Sequence, residues 1–175
     1  LDAPYRKLLA AKIHRATVTA ADVHYEGSMT VPPELLAAAG ISVYESLHVW
    51  NVTRGSRLET YAIEGLPGSH DICANGAAAH LIRPGDHVIL AAFAMIPEKD
   101  AASHCPRLIF VNEKNEITHT GPEIPGPQLP TGQRLPTGRR LPTGQQGKNE
   151  SEIDPKAAED FRVVSAKQHA FAEEC

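Results

Sequence analysis

Gly27 and Ser28 close the run His24-Tyr25-Glu26-Gly27-Ser28. A serine hydroxyl that follows a small, unhindered carbonyl can attack its own peptide bond. Gly27 has no side chain to obstruct that attack, and its backbone accepts strain. The attack makes an ester, elimination makes a dehydroalanine, and hydrolysis leaves a pyruvoyl group, a ketone built into the chain. Taken alone, Gly-Ser is among the commonest dipeptides, and a turn is the plain reading. Lys12, Arg57, Thr60, Tyr61 and Asn75 are further residues with usable chemistry. Each also has a bland reading. Lys12 and Arg57 suit solvated strand charges, Tyr61 a cross-strand packing residue, and Thr60 a β-branched strand filler. Trp50 reads as a packing residue and takes no catalytic role.

The elements that must carry these residues are short. Residues 12–19 contain β-branched side chains and no breaker, which predicts a strand. Residues 31–40 predict a short helix, with proline in its first turn and Gly40 at the left-handed position past its end. Residues 47–52 and 57–63, joined by Thr53-Arg54-Gly55-Ser56, predict a hairpin. A short strand is expected at 72–74, followed by helix formers to about Ile82 behind an Asn75 cap. Arg83-Pro84-Gly85-Asp86 is a turn. Strands are expected at 87–95, 107–111 and 117–119. Many short strands separated by turns and small helices predict a mainly β chain with a compact barrel.

The composition limits the functions available. The chain has 175 residues, 42% of them hydrophobic, and a formal net charge of −4. Most of the apolar residues precede position 112, so the front can build a core. No strong basic field exists, so nucleic acid is not an expected partner. The longest apolar run, Val88 to Ile96, falls well short of the ~20 residues that a membrane helix needs. Lys12 and Arg15 interrupt the early apolar segment, so no secretory leader is expected. The three cysteines, Cys73, Cys105 and Cys175, form no Cys-x-x-Cys pair. A disulfide framework is not expected, and a reducing cytoplasm is the location predicted. His14, His24, His70 and Cys73 make no three-ligand set with a recognisable spacing, so no metal is expected.

The character changes near residue 120. Residues 121–147 hold six of the 14 prolines and six of the 13 glycines. A six-residue repeat runs through Leu129-Pro130-Thr131-Gly132, Leu135-Pro136-Thr137-Gly138 and Leu141-Pro142-Thr143-Gly144. One leucine per repeat cannot offset the entropy of ordering it. Residues 121–175 are therefore expected to be a disordered, low-complexity linker and tail, with a marginal helix after Asp154-Pro155. The globular domain is expected to span residues 1–120.

The front of the chain resembles the bacterial pyruvoyl-dependent aspartate 1-decarboxylases over roughly residues 7–120. The resemblance is carried by Lys12-Ile13-His14-Arg15, His24-Tyr25-Glu26-Gly27-Ser28, Ala38-Ala39-Gly40-Ile41, Val49-Trp50-Asn51-Val52-Thr53, Thr60-Tyr61-Ala62-Ile63 and Asn75-Gly76-Ala77-Ala78-Ala79, in matching order and spacing. It implies a double-psi β-barrel, a homotetramer and active sites between subunits. It implies self-cleavage between Gly27 and Ser28, giving a β-chain that ends at Gly27 and an α-chain that begins at the pyruvoyl group. The cofactor is then covalent and derived from Ser28, with neither metal nor pyridoxal phosphate. The family points to the Thr60 hydroxyl as oxyanion donor. Asn75 is given a supporting hydrogen bond.

For turnover, the resemblance implies that the ketone forms a Schiff base with L-aspartate, which loses CO2 and is released as β-alanine, a precursor of pantothenate and coenzyme A. Arg57 can hold a substrate carboxylate bidentately and Lys12 adds a point charge. Tyr61 is the expected proton donor to Cα. The N–H groups of Gly76, Ala77 and Ala78 are offered to a carboxylate. Residues from about 121 onward have no inherited role, and Leu66-Pro67 stand where the family leads one to expect charged residues. Two rival readings remain: an uncleaved barrel acting as a binding or regulatory subunit, and a pyruvoyl decarboxylase for another amino acid. Whether a maturation or regulatory protein assists cleavage is left open.

Overall fold

The structure is a computed structural model and describes residues 4–123. The repeats and the expected helix after Asp154 lie outside the described residues. The compact unit that holds the elements below ends at Pro122.

Nine strands form one mixed sheet. They are β1 (Tyr5–Thr17), β2 (Ala20–Asp22), β3 (Ser28–Val31), β4 (Ser46–Asn51), β5 (Arg57–Glu64), β6 (Cys73–Asn75), β7 (His87–Pro97), β8 (Arg107–Val111) and β9 (Ile117–Thr120). Their order across the sheet is β2-β6-β3-β5-β4-β7-β1-β8-β9. The chain is mainly β, as its alternating apolar pattern predicts. The β4–β5 hairpin is antiparallel, with Val49 opposite Leu58. β1 begins earlier than its β-branched stretch suggests, because its first half pairs with the long β7 as far as Tyr5 opposite Pro97. β3 was not expected as a strand. It is held from both sides, parallel to β5 and antiparallel to β6.

The helix α1 (Pro33–Ala39) has proline in its first turn and ends at Gly40 in the left-handed conformation. It buries Leu35, Leu36 and Ala39 against a core that includes Ile13, Met29, Leu47, Val49, Ile72, Leu90 and Ile109. Fully burying each such aliphatic side chain contributes ~1.5–3 kcal/mol before entropy is counted.

Two buried polar residues fasten the turns. Asp86 accepts from Asn51 Nδ2 at 2.8 Å, Arg54 Nε at 2.8 Å and the Arg83 N–H at 2.9 Å. These bonds hold the β4–β5 turn against the turn that leads into β7, and they keep the Asp86 carboxyl below its ordinary range despite burial. Asn115 accepts from the Thr17 N–H at 2.8 Å and donates to the carbonyls of Thr17 and His70 at 2.9 and 2.8 Å. It pins the β8–β9 turn to the end of β1 and to the loop before β6.

Candidate active site

The site starts from strand register. Ser28 and Asn75 are direct partners on antiparallel β3 and β6. On the other side, parallel β3 and β5 pair Met29 with Ala62. One step back along both strands, Ser28 comes level with Tyr61; one further step brings Gly27 level with Thr60. Side chains alternate between faces along a strand, so Ser28, Asn75 and Tyr61 belong to one row, and Thr60 faces the other side with its partner Leu47.

Ser28 is 1% exposed. Its Oγ accepts from Asn75 Nδ2 at 2.8 Å, and the same amide donates to Thr30 Oγ1 at 2.8 Å. Asn75 therefore does not cap the following helix. That helix, Gly76–His80, is of the tighter 3-10 kind and has no side-chain cap. The amide that would have reached its N–H groups is committed to two hydroxyls across the strands. Asn75 donates to Ser28, so the serine keeps its own O–H hydrogen for another acceptor. The Cα of Gly27 faces open space, with nothing within 4 Å of a Cβ placed there. The Gly27 carbonyl is therefore unshielded by its own residue.

Tyr61 is 37% exposed. Its ring lies 6.3 Å from that of Tyr44, tilted by 43°. The segment carrying Tyr44 is held beside it by backbone bonds from the Tyr44 N–H to the Ala62 carbonyl at 2.8 Å and from the Ala62 N–H to the Glu45 carbonyl at 3.0 Å.

The cations sit elsewhere on the sheet. Lys12 is buried on β1, between Ala91 of β7 and Leu108 of β8. Its row continues through His48 to Glu59. Arg57 and Tyr61 flank Glu59 at alternate positions of β5, which places Lys12, Arg57 and Tyr61 on one face. Burial pushes the Lys12 ammonium below its ordinary range. Arg57 lies four residues from Tyr61, ~13 Å along an extended strand. Its guanidinium stands 5.5 Å from the centre of the Trp50 ring. Both line an open cavity of about 520 Å³ with Lys7, His48, Leu58 and Phe93.

The structure thus gathers Gly27, Ser28, Asn75 and Gly76, sets Tyr61 in the same row, and places Arg57 at the far end of β5. Two contributors were missed by reading residues singly. Thr30 shares the Asn75 amide, and Trp50 carries Arg57. Their alternation with core residues was visible, but their partners are set by register. His14 packs on Phe110 with ring centres 5.3 Å apart. Its Nδ1 is buried without a hydrogen-bond partner, and burial, helped by the charges of Lys12, Arg15 and His119, brings its pKa down to about 4. Among the described residues no three His, Cys, Asp or Glu side chains gather into a metal site.

The family model for aspartate decarboxylase matches residues 5–118. The chain belongs to the aspartate decarboxylase family. It is 78% identical over 129 residues to the aspartate 1-decarboxylase of Rhodopirellula baltica, an alignment covering 74% of this chain and 83% of that one. It is 58% identical over 119 residues to the enzyme of that name from Legionella pneumophila, covering 68% of this chain and 90% of the relative. Against the Myxococcus xanthus aspartate 1-decarboxylase it is 55% identical over 124 residues, covering 70% and 95%. In a member of this family, the buried Ser28 beside an open Gly27 becomes the residue to explain.

Proposed function

We propose that this chain is a self-processing aspartate 1-decarboxylase, cut between Gly27 and Ser28, that converts L-aspartate to β-alanine and CO2 in the cytoplasm, supplying pantothenate synthesis. The observation that carries this reading is a buried serine Oγ held by Asn75 at 2.8 Å, next to a carbonyl whose own residue has no side chain.

In the self-cleavage, Ser28 Oγ bonds to the Gly27 carbonyl carbon and the Gly27–Ser28 amide bond breaks. The hydroxyl proton ends on the freed nitrogen. The Thr60 hydroxyl, level with Gly27 in register, is the donor assigned to the oxyanion. The ester then loses the Ser28 Cα proton as the Gly27 carboxylate departs. The resulting enamine takes up water and releases ammonia, leaving the ketone. That ketone, once formed, supplies an electron sink for the pair released when the α-carboxylate leaves as CO2.

The remaining work belongs to the side chains. Arg57 grips a substrate carboxylate with its planar fork, whose charge stands over the Trp50 ring at 5.5 Å from the ring centre. Lys12 adds positive charge, and its burial makes that charge count for more than it would in water. Tyr61 returns a proton to Cα. The N–H groups of Gly76, Ala77 and Ala78 face the second carboxylate. Arg57 and Ser28 lie at opposite ends of the β5 neighbourhood, which suits a double-psi barrel whose sites are completed between subunits of a homotetramer.

Intact mass spectrometry tests the reading. The expected result is two chains, one ending at Gly27 and one beginning at a carbonyl derived from Ser28. A single unbroken chain would leave the barrel as a binding or regulatory subunit. Product analysis with aspartate and glutamate separates the two substrate readings.

A further inference from the structure

Gly76 lies under the segment that leads into Ser28. A Cβ on Gly76 would stand 2.8 Å from the Tyr25 carbonyl oxygen and 3.0 Å from both the Cα and the N of Gly27. All three obstacles are backbone atoms, which cannot swing aside as the tip of a long side chain can. The neighbouring glycine of the cleavage pair is different, since a Cβ on Gly27 meets nothing within 4 Å. Gly76 also has φ of +60°, in the left-handed region where glycine carries no steric penalty.

We propose that Gly76 is a positioning residue for self-cleavage: its bare Cα is the seat on which the Tyr25–Gly27 backbone rests. The proposal depends on Ser28 being the processed serine. Under it, two consecutive residues hold the two reactants. Asn75 fixes the Ser28 hydroxyl, and Gly76 fixes the backbone that carries the Gly27 carbonyl. Both stand on one rigid step from β6 into the 3-10 helix, so nucleophile and electrophile share a single frame. A methyl group at position 76 lifts the 25–27 segment and moves the carbonyl relative to the hydroxyl. A misplacement near 1 Å costs on the order of 100-fold in rate.

The test is the time course of cleavage in freshly translated chain, read by intact mass, with thermal melting of the same samples. Gly76→Ala is expected to fold and to cleave about 100-fold more slowly than wild type. Gly85→Ala is the strain control. Gly85 has φ of +86° and nothing within 4 Å of its Cβ position, so that variant bears a backbone penalty without a contact and is expected to cleave at the wild-type pace. Should Gly76→Ala fail to fold, Gly76→Asn serves instead, because asparagine tolerates positive φ better and still carries the Cβ. Cleavage of a folded position-76 variant within about threefold of wild type would overturn the proposal. So would equal slowing in Gly85→Ala, which would assign the effect to backbone strain. An uncleaved wild type would remove the processing reading itself, and the seat with it.

Discussion

Asn75 Nδ2 meets Ser28 Oγ at 2.8 Å across directly paired positions of two antiparallel strands. The contact is therefore fixed by the sheet ladder and not by a mobile loop. Among the described residues, no carboxylate or imidazole is hydrogen-bonded to the Ser28 hydroxyl. Asn75 thus orients this oxygen without acting as a base, and its second bond, to Thr30, fixes its own rotamer.

Asn75→Ala should slow self-cleavage while leaving the fold in place. Losing one neutral hydrogen bond in a buried site costs about 1–2 kcal/mol, which corresponds to a rate reduction of roughly 5–30-fold. Intact mass measured at intervals after synthesis reads this directly. Cleavage at the wild-type rate would mean that the amide serves only to satisfy Thr30 and Ser28 as buried polar groups.

Tyr61→Phe separates maturation from turnover. The phenol lies level with Ser28 on the neighbouring strand, is partly exposed, and packs on Tyr44. Removing its oxygen keeps the ring contact and the strand. The variant is expected to cleave normally but to lose kcat by roughly 100-fold or more, in line with the loss of a general acid. The checks are β-alanine formation and uptake of solvent deuterium at the amine-bearing carbon of the product, which was the aspartate Cα. Normal turnover would assign the proton to another donor.

The parts legible in the sequence share a physical trait: they depend on near neighbours. The β4–β5 hairpin follows from alternation on either side of Thr53-Arg54-Gly55-Ser56. The helix α1 follows from its prolines and from Gly40. What was illegible depends on distant partners. β3 follows a turn and runs into Pro32-Pro33, so its pairing with β5 and β6 has no local mark. Asn75 before a run of alanines has the look of a cap, and only the arrival of β3 shows that its amide goes elsewhere. Lys12 has the look of a solvated strand charge, yet it sits between β7 and β8. Gly76 invites a role through its N–H, whereas its crowding against Tyr25 and Gly27 exists only once the chain has doubled back. The residues proposed for the site stood out as a pattern, but not their register.

His14 gives the fold a pH dependence with a definite window. Its ring is packed on Phe110, its Nδ1 has no partner, and its pKa is brought from 6.5 to about 4, by burial first and then by the charges of Lys12, Arg15 and His119. In the unfolded chain the imidazole takes a proton as pH falls through 6.5; in the folded chain it resists until about 4. The unfolded state therefore binds more protons between these values, and stability falls as pH drops across that window. Above it the contribution is fully present, and below it the slope from this group ends. The loss is on the order of 1 kcal/mol, discounted because the ring is partly open to solvent. Melting of Ser28→Ala, which keeps the chain in one piece, should show the midpoint declining by a few degrees across this range. Adding His14→Gln, which cannot take the proton, should flatten that decline. The Asp86 carboxyl, lowered by its hydrogen bonds, loses its contribution only at more acid pH, so it does not blur the comparison. An unchanged slope in the double variant would mean that the acid sensitivity comes from a group other than His14.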